Sequence, residues 1–104
     1  MTNSWQTPTL LNGLSNYNGT TKYKKCADIV TIDFHVKTPS ANQTYIAFTL
    51  PSSYIPPQDI TLLVSSGGTG SLVTYIIIDT SGNVKVSVNG SGNQYALGQV
   101  SFMV

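Results

Sequence analysis

From Lys22 to Val104 the chain alternates apolar and polar residues with a period of two. Between Ile29 and Lys37, the residues Val30, Ile32, Phe34 and Val36 fall on one face and Thr31, Asp33, His35 and Lys37 on the other. That is the pattern of a strand with one side in a core and one in water. The same reading predicts strands at Tyr45–Leu50 with Ile46, Phe48 and Leu50 inward, and at Ile60–Ser65 with Ile60, Leu62 and Val64 inward. Two more follow at Val84–Asn89, around Val86 and Val88, and at Tyr95–Val104, with Val100, Phe102 and Val104 inward. Turn chemistry separates them. Pro39-Ser40-Ala41-Asn42, Pro51 to Pro57, Gly67-Gly68-Thr69-Gly70, Asp79 to Asn83 and Gly90-Ser91-Gly92-Asn93 supply a fixed φ through Pro or a positive φ through Gly and Asn. Gly82 is the left-handed position of a hairpin loop. About seven or eight short strands at this spacing predict an all-β fold, an antiparallel sandwich of jelly-roll or Greek-key type.

One strand departs from the alternation. In Leu72–Asp79, Leu72, Ile76 and Ile78 face one side while Val73, Tyr75 and Ile77 face the other, so both faces are apolar. A strand in a thin sandwich needs one buried face, and the second must be covered by something. A loop folded over it, such as Pro51 to Pro57, is one explanation. A subunit interface that Leu63 would join is the other. Residues 1–20 differ in character, with turn formers around Trp5, Leu10, Leu11, Leu14 and Tyr17. They read as a lead segment draped on a sandwich of residues 21–104 and pinned by those side chains.

Composition sharpens the class. A length of 104 residues is one domain, and it carries 17 Val or Ile and 13 Thr, which fit a pleated surface better than a helix. Charged residues are 9 % of the chain, with no Arg and no Glu, while Ser, Thr, Asn and Gln number 38. That shortage argues against nucleic-acid binding and polybasic membrane attachment, since the densest basic stretch is Lys22, Lys24 and Lys25. No apolar run approaches the ~18 residues of a membrane span, so no membrane insertion is expected. The hydroxyl- and amide-rich surface instead suits neutral hydroxyl-bearing ligands. Met1–Trp5 lacks the layout of a signal peptide and Cys26 has no partner for an intrachain disulfide, which fits synthesis in a reducing cytoplasm.

Acid–base chemistry would have to come from Asp28, Asp33, Asp59, Asp79 and His35. Asp33 and His35 share a strand face, about 7 Å apart at Cβ, and could orient an imidazole; a row Thr-Asp-His-Lys is also what a solvated strand face looks like. No nucleophile elbow, phosphate loop, CxxC, HExxH or calcium loop is present, so the expectation is a protein without enzymatic activity, metal or cofactor. Binding is better supplied. Aromatic rings pack on the apolar faces of sugars while amides, hydroxyls and carboxylates meet the hydroxyl groups. Trp5, Tyr17, Asp33, His35, Tyr54 and Tyr95 are the candidate ligand-binding residues.

The motifs also string together. Trp5-Gln-Thr-Pro8-Thr-Leu10-Leu11-Asn12-Gly13, then Tyr23-Lys24-Lys25, the strand Ile29 to Val36, Thr49-Leu50-Pro51-x-x-Tyr54-x-Pro56, the hairpin Asp79 to Val84 and the end Gly98-Gln99-Val100-Ser101-Phe102 resemble a C-terminal receptor-binding module of tailed-bacteriophage tail-fibre and baseplate proteins. The order is kept over nearly the whole chain. Leu14 stands where that module has a second Trp, Cys26-Ala27 where it has an Asp-Gly turn, and Ser53 and Ile55 where its corner has Gly and Arg. The resemblance implies a homotrimeric head at a tail-fibre or baseplate tip, made in the host cytoplasm and carried on the virion beside other phage tail proteins. It implies attachment to a host cell-surface saccharide or other receptor, and a trimer interface of Leu63, Val73, Tyr75 and Ile77. A structural trimerisation cap or capsid decoration without a ligand is the alternative of a different class. A hydrolytic or metal role for Asp33 and His35 is a third. The Met1-Thr2-Asn3-Ser4 start, running straight into domain residues, is what an excised tip would show.

Overall fold

A computed structural model describes residues 4–39, 43–63, 65–68, 73–89 and 94–104, of which 65–68, 73, 89 and 94 are described by backbone alone. Strand β3 (Ile29–Thr38) shows why the chain folds as it does. Val30, Ile32, Phe34 and Val36 are fully buried, and Thr31, Asp33, His35 and Lys37 point outward, as the alternation requires. Each such burial contributes roughly 1.5–3 kcal/mol. The other strands are β1 (Ser15–Asn16), β2 (Lys22–Cys26), β4 (Gln43–Thr49), β5 (Ile60–Leu63), β6 (Ser65–Gly68), β7 (Val73–Ile78), β8 (Asn83–Asn89) and β9 (Gln94–Met103).

They form two antiparallel sheets. Sheet A runs β1-β3-β9-β6, with β2 pairing the other end of β3 beside β1; sheet B runs β4-β8-β7-β5. The pairing is nested, β3 with β9, β4 with β8 and β5 with β7, which is how a jelly-roll or Greek-key sandwich winds. The inner faces meet in one core, where Phe34, Ile32 and Val36 join Phe48, Ile76, Ile78, Val84, Val86 and Val88.

Three sequence expectations change. Strand β4 carries a bulge between Ile46 and Phe48, so Tyr45, Ala47 and Phe48 are buried and Ile46 faces outward. An inserted residue shifts the alternation by one and reverses the face. The strand expected over Ile60–Ser65 divides: β5 stays in sheet B, while β6 pairs with β9 in sheet A. Gly67 and Gly68, read as loop, lie in β6, held by main-chain pairing that needs no side chain. Val64, Leu72 and most of the two other glycine-rich loops, at 69–70 and 90–93, lie outside the described residues, as do 40–42.

The corner after β4 closes one end of the sandwich. Pro51 leads into a single 3₁₀ turn, Ser52–Tyr54, and Tyr54 is buried edge-on against Tyr23 with ring centroids 5.5 Å apart. Lys25 Nζ donates to Ser53 O at 2.7 Å, and Leu50 N–H donates to Gly82 O. Burial, then the neighbouring Tyr54, pushes the Tyr23 phenol above its ordinary value of 10.0. The contacts of this corner run to β2 and to the Gly82 hairpin, while on the outer face of sheet B Leu63 is 68 % exposed opposite a half-buried Tyr75. Tyr54 is a core residue, and its assignment as a ligand contact is withdrawn because its ring is spent on packing.

The hairpin Asp79–Asn83 forms as expected, with Gly82 at φ 87°. Burial pushes the Asp79 carboxyl up, but the main-chain N–H groups of Asn83 and Ser81, with Lys85 Nζ at 3.2 Å, outweigh it and hold the group below its usual range. The lead segment is drawn further in than a draped arm. Gln6 bridges to Tyr23, Leu11 N–H donates to Ala47 O of sheet B, and β1 then pairs with β3 of sheet A. Leu14 enters the core, whereas Trp5, Leu11 and Tyr17 remain substantially exposed and do not pin the segment by burial.

Candidate binding face

The outer face of sheet A collects chemistry from four stretches of chain. Register sets its rows: Lys22 opposes Asp33, which opposes Gln99; Lys24 opposes Thr31, which opposes Ser101; His35 opposes Leu97, and Lys37 opposes Tyr95. Because partners in an antiparallel ladder share a face, all of these side chains stand on the same surface. Thr31 and Ser101 hydroxyls are hydrogen-bonded at 2.9 Å.

Aromatic groups mark two ends of the face. Trp5, brought alongside β2 by the Gln6 bridge, has the ammonium groups of Lys22 and Lys24 at 4.7 and 4.6 Å from its ring centroid. Tyr17 follows β1 and leans across β3 to stack on Tyr95, with centroids 3.8 Å apart and planes inclined by 16°. Lys37 Nζ lies 6.0 Å from the Tyr95 ring. Trp5 lies by Lys22 and Lys24, which oppose Asp33 and Thr31, and Tyr95 opposes Lys37 four to six residues along, so the two aromatic ends are roughly 13–20 Å apart along β3.

Between them sits the Asp33–His35 pair, with His35 Nε2 3.4 Å from Asp33 Oδ2. The loop after β1 fastens this histidine. Tyr17 N–H donates to His35 O, His35 N–H donates to Thr21 Oγ1, and Thr21 N–H donates to Asn16 Oδ1. Gly19 lies against the imidazole so closely that a Cβ there would stand 2.7 Å from Nδ1. Nδ1 is buried and has no hydrogen-bond partner among the described residues. Among the described residues no group of three His, Cys, Asp or Glu side chains could hold a metal ion.

Five of the six sequence candidates, Trp5, Tyr17, Asp33, His35 and Tyr95, thus share one face, and Tyr54 does not. The alternation pointed to Asp33 and His35, while Tyr95 came to them through the register of β9. Sequence reasoning set Lys37 on the outer face of β3 but gave no binding role to Lys22, Lys24 or Lys37, although Lys22-Tyr23-Lys24 already alternates polar and aromatic. It also missed Gly19, which only the fold brings to His35.

A family model described as the YomR C-terminal beta sandwich domain matches residues 2–100. The chain belongs to that family. The family is phage-related, and its sandwich is the architecture described above. The match runs from the lead segment through both sheets to Val100 in β9, so Trp5, Tyr17, β3 and Tyr95 fall within it. Comparison with curated proteins and with solved structures gives no match.

On the opposite side of the molecule, Leu63 and Tyr75 are cross-strand partners, and Ile77 lies opposite Thr61 and Lys85. The three make an apolar patch on the outer face of sheet B, flanked by Lys85 and Ser87. Val73 lies in β7 opposite Asn89, and its side chain is outside the described residues.

Proposed function

We propose that this domain is a virion component of a bacteriophage tail, at a fibre or baseplate tip, that attaches to a host cell-surface saccharide without cleaving it. The observation that carries the reading is the convergence of Trp5, the Tyr17–Tyr95 stack and the Asp33–His35 pair on one sheet face. Flat rings set on and beside sheet A give sugars a platform at small entropic cost, and the carboxylate, amide and hydroxyl groups between them match ring hydroxyls. The same reading makes the head a homotrimer whose copies meet through Leu63, Tyr75 and Ile77. Covering that patch would bury apolar surface that a domain of this size lacks alone, and three weak sites on one tip would act together.

Trp5 is the only tryptophan of the chain, so its emission reports directly on this face. Titration with host-wall saccharides is expected to change that emission saturably, and Tyr17→Ala is expected to weaken binding by about thirtyfold, the effect of removing a central aromatic anchor. Absence of a saturable change across a bacterial glycan array would replace the attachment reading with that of a structural cap.

A further inference from the structure

We infer that the ligand of this face is anionic, a hydroxyl-bearing polymer with phosphodiester or carboxylate groups along it. The inference rests on the attachment reading and specifies its ligand; it departs from the neutral ligand that composition suggests. Lys22, Lys24 and Lys37 all stand on the outer face of sheet A. None of the three is ion-paired among the described residues, where the carboxylate contacts are His35 with Asp33 and Lys85 with Asp79. Asp33, the carboxylate within the face, is thus already engaged by the imidazole.

The placement of the ammonium groups is specific. Two lie against Trp5 and the third near Tyr95, so each aromatic end of the face carries positive charge. A ring holds an ammonium through its quadrupole and leaves the charge uncompensated, with N–H donors still available to an anion. A sugar or polyol packed on the ring edge would set its anionic group beside the ammonium. With about 13–20 Å between the two ends, one molecule bearing a single anion satisfies only one of them. A polymer with repeating charge satisfies both.

The test uses the full chain and three probes: poly(glycerol phosphate), polygalacturonate and the neutral members of a bacterial glycan array. At least one polyanion is expected to bind saturably, and raising salt from about 0.1 M to about 1 M, which shortens the screening length from about 10 Å to about 3 Å, is expected to weaken it more than tenfold. The phosphodiester and carboxylate probes identify which anion is read. Lys22→Gln with Lys24→Gln should cost about tenfold, whereas Lys85→Gln on the opposite face should leave binding unchanged. Equal losses in both variants would mean nonspecific charge attraction and overturn the inference. Binding of neutral glycans alone, insensitive to salt and to the Lys22 and Lys24 changes, would overturn it while leaving the attachment reading intact. No saturable binding of any probe would overturn both.

Discussion

Gly19 is where the fold and the binding face are joined, and Gly19→Ala tests that joint. The residue has φ 154°, a conformation that side-chain-bearing residues avoid at a cost of order 1–3 kcal/mol. A methyl group there would also stand 2.7, 2.8 and 2.9 Å from Nδ1, Cε1 and Cγ of His35, inside van der Waals contact. If the loop holds, the ring must turn off its rotamer, for about 0.5–1.5 kcal/mol. If the loop lifts instead, the bonds from Tyr17 N–H to His35 O and from His35 N–H to Thr21 Oγ1 are lost, at about 1 kcal/mol each. Both routes lead to a loss of about 2–3 kcal/mol. Urea unfolding should show it as a shifted midpoint at unchanged slope, and a thermal scan as a fall of about 10 °C. His35→Ala supplies the decisive cross: with the ring gone the steric part vanishes, so the double variant should be about 1 kcal/mol more stable than the sum of the singles predicts. Additivity within about 0.3 kcal/mol, or a neutral Gly19→Ala, would refute the close packing of loop on imidazole.

Three further outcomes are expected. Thr74 has a buried hydroxyl without a partner among the described residues, so Thr74→Val should raise stability by about 1 kcal/mol in the same urea assay, and a loss would show that the hydroxyl is bonded. The Asp79 carboxyl titrates below its ordinary 3.8, so it stabilises the fold above that pH and the stabilisation is lost as pH falls through the lowered value. Asp79→Asn should therefore cost roughly 0.5 kcal/mol at neutral pH, and the curves of parent and variant should converge in acid. For the proposed trimer, light scattering on the parent should give three times the 11.1 kDa chain mass, and Leu63→Asp should reduce it to one chain; a parent that runs as a monomer at micromolar concentration would sink the interface.

What the sequence disclosed follows from how local each signal is. Strand β3 was legible to within a residue because Val30 to Lys37 alternate apolar and polar without a break, and burying that face leaves no freedom of register. Strand β4 was legible as a strand but not in its facing, because its bulge is settled by packing against β8 and by the lead segment, whose Leu11 N–H and Asn12 Nδ2 donate to Ala47 O and Ile46 O. Strand β6 was hidden because Ser-Ser-Gly-Gly has turn chemistry and pairs through main chain alone. On the binding face, Asp33 and His35 could be placed by spacing of two. Trp5 and Tyr17 reach them only through tertiary pairing, of Gln6 with Tyr23 and of Tyr17 N–H with His35 O.

The same difference between local and global signals governs the charge. Net charge +1 says almost nothing about steering, because it averages over surfaces that a ligand meets separately. Lys22, Lys24, Lys37 and Asp33 share the outer face of sheet A, which leaves that face two positive charges. Lys25 is turned to the corner, Lys85 is paired with Asp79, and Asp28 and Asp59 lie in connections, so the rest of the chain carries one negative charge. In a chain with 9 % charged residues, each lysine placed on this face is a large fraction of what is available. Scarcity also keeps the face free of internal competition: with Asp33 held by His35, an incoming anion displaces no carboxylate from Lys22, Lys24 or Lys37. A more highly charged surface would have screened those lysines with glutamates. The absence of Glu, which at first only narrows the list of chemistries, is what leaves these three ammonium groups available to a ligand.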